Sequence, residues 1–224
     1  MMFVVAEYVI TPLFKNTAER IYDLPFDDIP EAKVYMLSSI FDVILYIFLI
    51  IPLLIGYSFE LQYDFFHTVS DKRYGKFLLI SLGVFYVGSI MASMLANVIY
   101  HDSTSANQES IESTLNAGRV AAICMFTAAV IIGPIVEELI FRQAMFDLLI
   151  NKYVATIVSS FIFALIHVVS STGSFRFMVS ITLPYFVSGL LFATIYEKSH
   201  RNIWLSIGVH AISNCISLII ALNA

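Results

Sequence analysis

Six apolar stretches of about twenty residues, separated by short polar segments, run through the 224-residue chain and leave it few folds to choose from. They read as residues 35–57, 77–99, 119–150, 154–169, 177–196 and 203–222. In lipid a backbone must satisfy its own hydrogen bonds, so each stretch predicts a membrane-spanning helix. Composition agrees: 59% hydrophobic residues, 13% charged residues and a mean hydropathy of +0.85 leave too little polar material to cover a soluble domain. The expected fold class is all-α, a polytopic transmembrane helical bundle of about six spans in the bilayer.

Residues 3–14 are apolar but short and contain Glu7 and Pro12, with no basic region ahead of them. They predict an interfacial helix rather than a cleaved signal peptide. Residues 15–33 turn polar and acidic, and Pro25 and Pro30 mark a surface connection. The chain thus divides into residues 1–34, interfacial helix and connection; 35–100, two scaffold spans; and 117–223, a helical core. In the second span Gly83, Gly88, Ser89, Ala92, Ser93 and Ala96 are small enough to let helices approach. Polar loops are expected over residues 60–76 and 101–116.

A net charge of −5 with scattered basic residues gives no footprint for nucleic acid. Cys124 and Cys215 lie in apolar segments without metal-ligand or disulfide spacing and read as small buried hydrophobes. Alternating spans would put Lys72, Arg73, Lys76, Lys152, Lys198 and Arg201 on one side, a weak cytoplasmic signal against the five basic residues opposite.

Charge inside the spans is what points to function. Glu137, Glu138 and Arg142 interrupt the third apolar stretch, and His167 and His210 each sit in a later one; ionisable groups at that depth are costly and mark sites by default. Glu137 precedes the turn at Lys152 by 15 residues and His167 follows it by 15, so both lie ~22 Å from the same end. His210, nine residues past Arg201, would reach only ~13 Å, about two turns short. The third stretch, ~47 Å long as a helix, exceeds a bilayer core of ~30 Å and predicts a kink or tilt at Gly133-Pro134.

Glu138 and Arg142 are spaced i,i+4 in the favourable order for a helical ion pair. Adjacent helical residues diverge by ~100°, which leaves Glu137 to face the histidines. His210 and Asn214, again i,i+4, can direct donors to one oxygen. A carboxylate beside one histidine, with a second histidine and an amide nearby, can activate water and stabilise an oxyanion, the needs of peptide hydrolysis. Asp42 is a lone intramembrane acid that function and a mere polar contact explain equally well. His67, His101 and His200 fall in polar segments and read as solvated. A structural ion-pair cluster would also account for Glu137, Glu138 and Arg142.

The ordered set Glu137-Glu138-xxx-Arg142, Phe163-xxx-His167 and His210-xxx-Asn214 resembles the three motifs of the CPBP intramembrane proteases. That family groups type II CAAX prenyl proteases with bacterial Abi proteins, many linked to bacteriocin self-immunity. The resemblance spans Arg119 to Asn214 and implies a glutamate-dependent endopeptidase of a bacterial cell membrane, acting on a membrane-associated protein or peptide. It implies Glu137 as general base, His167 orienting water, His210 and Asn214 as oxyanion site, and Glu138 and Arg142 in support. The family was long described as metalloproteases. Glu137, His167 and His210 could bind zinc, but neither histidine belongs to an HExxH helix and the expected cofactor is none. A non-catalytic immunity or partner-binding membrane protein is the alternative; a proton-coupled carrier is disfavoured by the lack of an internal repeat.

Overall fold

The computed structural model describes residues 10–101 and 103–223, and those residues are helical with short connections. The helices are α1 (Thr11–Tyr22), α2 (Glu31–Gly56), α3 (Ser58–Ser70), α4 (Lys72–Ile99), α5 (Ala106–Asn116), α6 (Arg119–Leu148), α7 (Lys152–Val168), α8 (Phe175–Lys198) and α9 (Ile203–Ala221). Five of these, α2, α4, α6, α8 and α9, are long and apolar enough to cross a membrane. The protein is a multi-pass membrane helical bundle. The expected sixth span, α7, is apolar but has 17 residues, ~26 Å and at the lower limit for a bilayer core.

Polar segments prove more structured than expected. Residues 3–9 of the expected interfacial helix lie outside the described residues. From Thr11 the chain is helical to Tyr22, through the first half of the expected connection: Pro12 sits in the first turn, where its missing N–H costs nothing, and Ala18 is buried beside Ile29 and Leu37. Asp23, in the left-handed region at φ 50°, ends it. The loops expected at 60–76 and 101–116 each contain a helix. Leu61 anchors α3 in the core and the Trp204 indole donates to its carbonyl at 2.8 Å, while Ser105 caps α5 by accepting from the Gln108 N–H at 3.2 Å.

Within the bundle only 6% of the apolar window of α2 is buried against 44% of that of α9, so α9 runs through the middle and α2 faces outward. Phe85, Phe141, Phe163, Phe192, Leu205 and Val209 form one core cluster; Leu139, Phe146, Tyr196, Ile203 and Ile207 belong to another. α7 and α8 pack tightly at Gly189, where an added Cβ would lie 2.9 Å from Ser160 Cα. Among the small residues of α4, Ala92 and Ala96 are buried, but Gly83 faces open space. The turns near residues 57–71, 149–152 and 199–202 share one end, tied by Lys152–Glu197 at 3.6 Å and by Asp64 Oδ2 accepting from the Ile203 N–H at 3.0 Å. The opposite end is tied by Arg176 donating to the Ile99 carbonyl at 2.9 Å. That grouping is the one alternation predicted.

α6 passes unbroken through Gly133-Pro134, and the expected irregularity appears as π-helical turns at Thr127–Ile132 and Leu139–Ala144. In the first, the Gly133 N–H bonds Ala128 O. The next π-type bond, to Ala129 O, would come from Pro134, which has no N–H. Asn214 Nδ2 donates to that carbonyl instead, at 2.8 Å. Gly133 is required here: a Cβ would stand 2.6 Å from Ala128 O.

Candidate active site

The structure brings Glu137, Glu138 and Arg142 of α6, His167 of α7, and His210 and Asn214 of α9 into one region of the bundle. Glu137 Oε2 lies 4.0 Å from His167 Nε2 and 3.8 Å from His210 Nε2. The two turns of depth that His210 lacked are recovered at the α8–α9 turn. Ser199, Asn202 and Ile203 are buried there under α3, so α9 starts inside the bundle.

On one side of His210 the site is sealed. Glu138 and Arg142 are both 0% exposed, with Arg142 Nε 3.1 Å from Glu138 Oε2. Glu138 was expected to serve mainly Arg142; in addition its other oxygen accepts from His210 Nδ1 at 3.0 Å, and Ser206 Oγ donates to Oε2. Three partners therefore share one carboxylate, an arrangement that a buried charge needs. The Arg142 guanidinium lies over Phe163 at 5.1 Å and Phe192 at 5.5 Å, so aromatic faces stand where polar partners are missing.

The other side opens into a cavity of about 800 Å³ whose lining includes Glu137, His167, His210 and Asn214. Tyr46 of α2 donates its hydroxyl to Glu137 Oε1 at 3.1 Å, whereas Oε2 has no hydrogen-bond partner among the described residues. His167 is oriented by its own helix, Nδ1 lying 2.8 Å from the Phe163 carbonyl, and by the Tyr185 ring stacked on it at 4.8 Å. A carbonyl can only accept, so Nδ1 carries a proton and Nε2 is the nitrogen turned toward Glu137. The phenyl of Phe192 stacks on His210 at 4.4 Å.

Sequence reasoning missed Tyr46, Tyr185 and Ser206. Ser206 was within reach, being i−4 to His210 on α9; nothing in the sequence connects Tyr46, 91 residues away, to Glu137. Asn214 shares the face of His210 as expected, but one of its donors serves Ala129 O rather than a shared target. His67, His101 and His200 are exposed and apart from the site, and both cysteines are free and half-buried.

Residues 119–216 match the family described as "Type II CAAX prenyl endopeptidase Rce1-like". Among curated proteins, UPF0177 protein YvdC of Lactococcus lactis subsp. lactis (strain IL1403) is 25% identical over 183 residues, 80% of this chain and 66% of that protein. A second from that strain, UPF0177 protein YxdF, is 34% identical over 97 residues, 43% of this chain and 50% of YxdF. A Bacillus subtilis (strain 168) protein named "Putative membrane peptidase YdiL" is 26% identical over 153 residues, 66% of this chain and 58% of YdiL. The chain spans less than two thirds of the length of each of these relatives. No solved structure gives a significant match.

Proposed function

We propose that this chain, whose residues 119–216 match the Rce1-like family, is an endopeptidase of the CPBP type that cleaves membrane-associated proteins or peptides with Glu137 as general base. The family match and the membrane-peptidase relative support a membrane protease in general. The observation that carries the finer reading is the unpartnered Glu137 Oε2, facing two histidine nitrogens at 4.0 and 3.8 Å inside a cavity.

Those separations are too long for direct hydrogen bonds and suit one intervening water. Glu137 takes a proton from that water while His167 Nε2 orients it, and the oxygen adds to the scissile carbonyl carbon. The tetrahedral oxyanion is met by His210, which as imidazolium donates from Nδ1 to Glu138 and from Nε2 into the cavity. Asn214 contributes its second amide hydrogen. Glu137 then returns its proton to the leaving amine as the C–N bond breaks. Tyr46, Glu138, Ser206 and Arg142 hold the reacting groups in place.

One observation favours a zinc-assisted variant: both Nδ1 atoms face acceptors, so neutral histidines would present two lone pairs beside a carboxylate, which is the chemistry of zinc ligands. Glu137, His167 and His210 would hold the ion, which when bound would acidify a water ligand. Neither histidine belongs to an HExxH helix, and on that ground we favour the cofactor-free route.

The test is cleavage of a membrane-peptide library by purified wild type and Glu137→Gln, with and without a zinc chelator. Cleavage by wild type only, indifferent to chelator, is expected. Inhibition by chelator that zinc reverses would move the three side chains to ligand roles. Absence of cleavage, with protection of cells against a peptide toxin retained in both proteins, would establish the partner-binding alternative.

A further inference from the structure

Asp42 is the intramembrane acid that this reaction leaves unused. It lies on α2 one turn (~5.4 Å) before Tyr46, and both side chains line the cavity that contains Glu137, His167 and His210. Unlike Glu138, Asp42 has no hydrogen bond or ion pair with the described residues. Among those that line the cavity three are carboxylates, Asp42, Glu112 and Glu137, and none is lysine or arginine. The cation closest in sequence to Glu137, Arg142, is sealed behind Glu138. The Tyr86 hydroxyl and Ser89 Oγ, also in the wall, have no hydrogen-bond partner among the described residues.

Asp42 is exposed on the bundle, and an intramembrane carboxylate left without a partner is costly unless water or a cation meets it. A lined cavity of one sign also concentrates ligands of the other and repels its own. A substrate presenting its terminal carboxylate beside Asp42 would enter a cavity lined by three acids and by no lysine or arginine. An internal peptide segment with a cationic side chain would meet a partner one turn from the group that anchors Glu137.

We propose that Asp42 is a specificity residue: the cavity takes an internal peptide segment carrying lysine or arginine beside the scissile bond, and Asp42 pairs with that cation. The proposal rests on the protease reading above and adds the chemical class of its substrate. It is a statement about discrimination, made by attraction of the cation and by repulsion of an anion at the same place.

The experiment uses the full-length protein in detergent micelles at neutral pH with three quenched fluorescent peptides that differ only in lysine, norleucine or glutamate flanking the cleavage position. A fourth peptide places a free C-terminal carboxylate there. Wild type should favour lysine over norleucine by about tenfold or more in kcat/KM, the range of one charged hydrogen bond, with the difference in KM. Asp42→Asn and Asp42→Ser should bring that ratio near one, and Asp42→Lys should turn the preference toward glutamate. A wild-type ratio of one, a preference for glutamate or for the free carboxylate, or a lysine preference that survives both neutral variants would overturn the proposal. Binding of the same peptides to Glu137→Gln, read by fluorescence anisotropy, separates it from the reading beneath. Lysine-selective binding abolished by adding Asp42→Asn, without cleavage by wild type, would sustain the cation subsite while the protease assignment fell. Unselective binding would overturn the subsite even if cleavage were robust.

Discussion

Glu137 and Glu138 are neighbours in the chain and live in opposite surroundings. Glu138 is 0% exposed and its oxygens are shared among Arg142, His210 and Ser206; Glu137 is 15% exposed, tethered by Tyr46 through one oxygen and free at the other. A helix turns ~100° per residue, so two adjacent acids on α6 serve a saturated structural pair and an unsaturated cavity. The difference teaches that burial alone does not identify a reacting carboxylate; an unspent acceptor does.

The largest expected effect tests that contrast. Glu138→Ala strands a buried guanidinium and should cost ~3–5 kcal/mol of stability, read as a lower unfolding temperature in detergent. Glu137→Gln should change stability by less than ~1 kcal/mol and instead lower turnover by ~10²–10⁴. If both variants destabilise equally, the division of labour is wrong.

Tyr46→Phe sharpens the cavity side. It removes the donor on Glu137 Oε1 without altering the ring, and a hydrogen bond to a charged group is worth ~1.5–3 kcal/mol, so kcat/KM should fall about 10- to 100-fold with melting little changed. A loss of stability without loss of turnover would make Tyr46 a packing residue. Gly189→Ala, next in size, strikes the frame that both sides share. Its Cβ would press on Ser160 backbone at 2.9 Å, and overpacking of this kind costs ~1–3 kcal/mol, measurable by the same thermal unfolding.

The sealed side was the more legible of the two in sequence. The i,i+4 spacing of Glu138 and Arg142 states their pairing directly, and equal counts from Lys152 set Glu137 level with His167. What the sequence hid were partners whose meeting depends on tertiary packing: Tyr46 from the outward-facing α2, and the depth of His210, set by burial of the Ser199–Asn202 turn. Helices α3 and α5 were hidden because their polar composition reads as loop, whereas α3 is held by Leu61 and Trp204, and α5 by Ser105 and Tyr185. Pattern reports what a segment does alone; each of these is fixed by a segment elsewhere.

The smallest effect concerns Asp64, an acid of intermediate character at the end of the bundle that sets the depth of α9. Its carboxyl accepts from the Ile203 N–H at 3.0 Å, and partial burial, opposed by that bond, raises its pKa above the ordinary value. A raised carboxyl pKa means that the folded state binds the proton more tightly than the unfolded chain. The desolvation cost is therefore present above the folded pKa, shrinks as pH falls through it, and is gone below the unfolded value of ~3.9. Asp64→Asn keeps an acceptor for Ile203 and removes the charge, so at neutral pH it should match or exceed wild type by less than ~1 kcal/mol. Melting both proteins between about pH 7 and pH 4 should show the wild type gaining on the variant as the pH drops. A gap that widens on acidification would mean that the Asp64 anion stabilises the α3–α9 contact, and that this end of the bundle resembles the saturated Glu138 side.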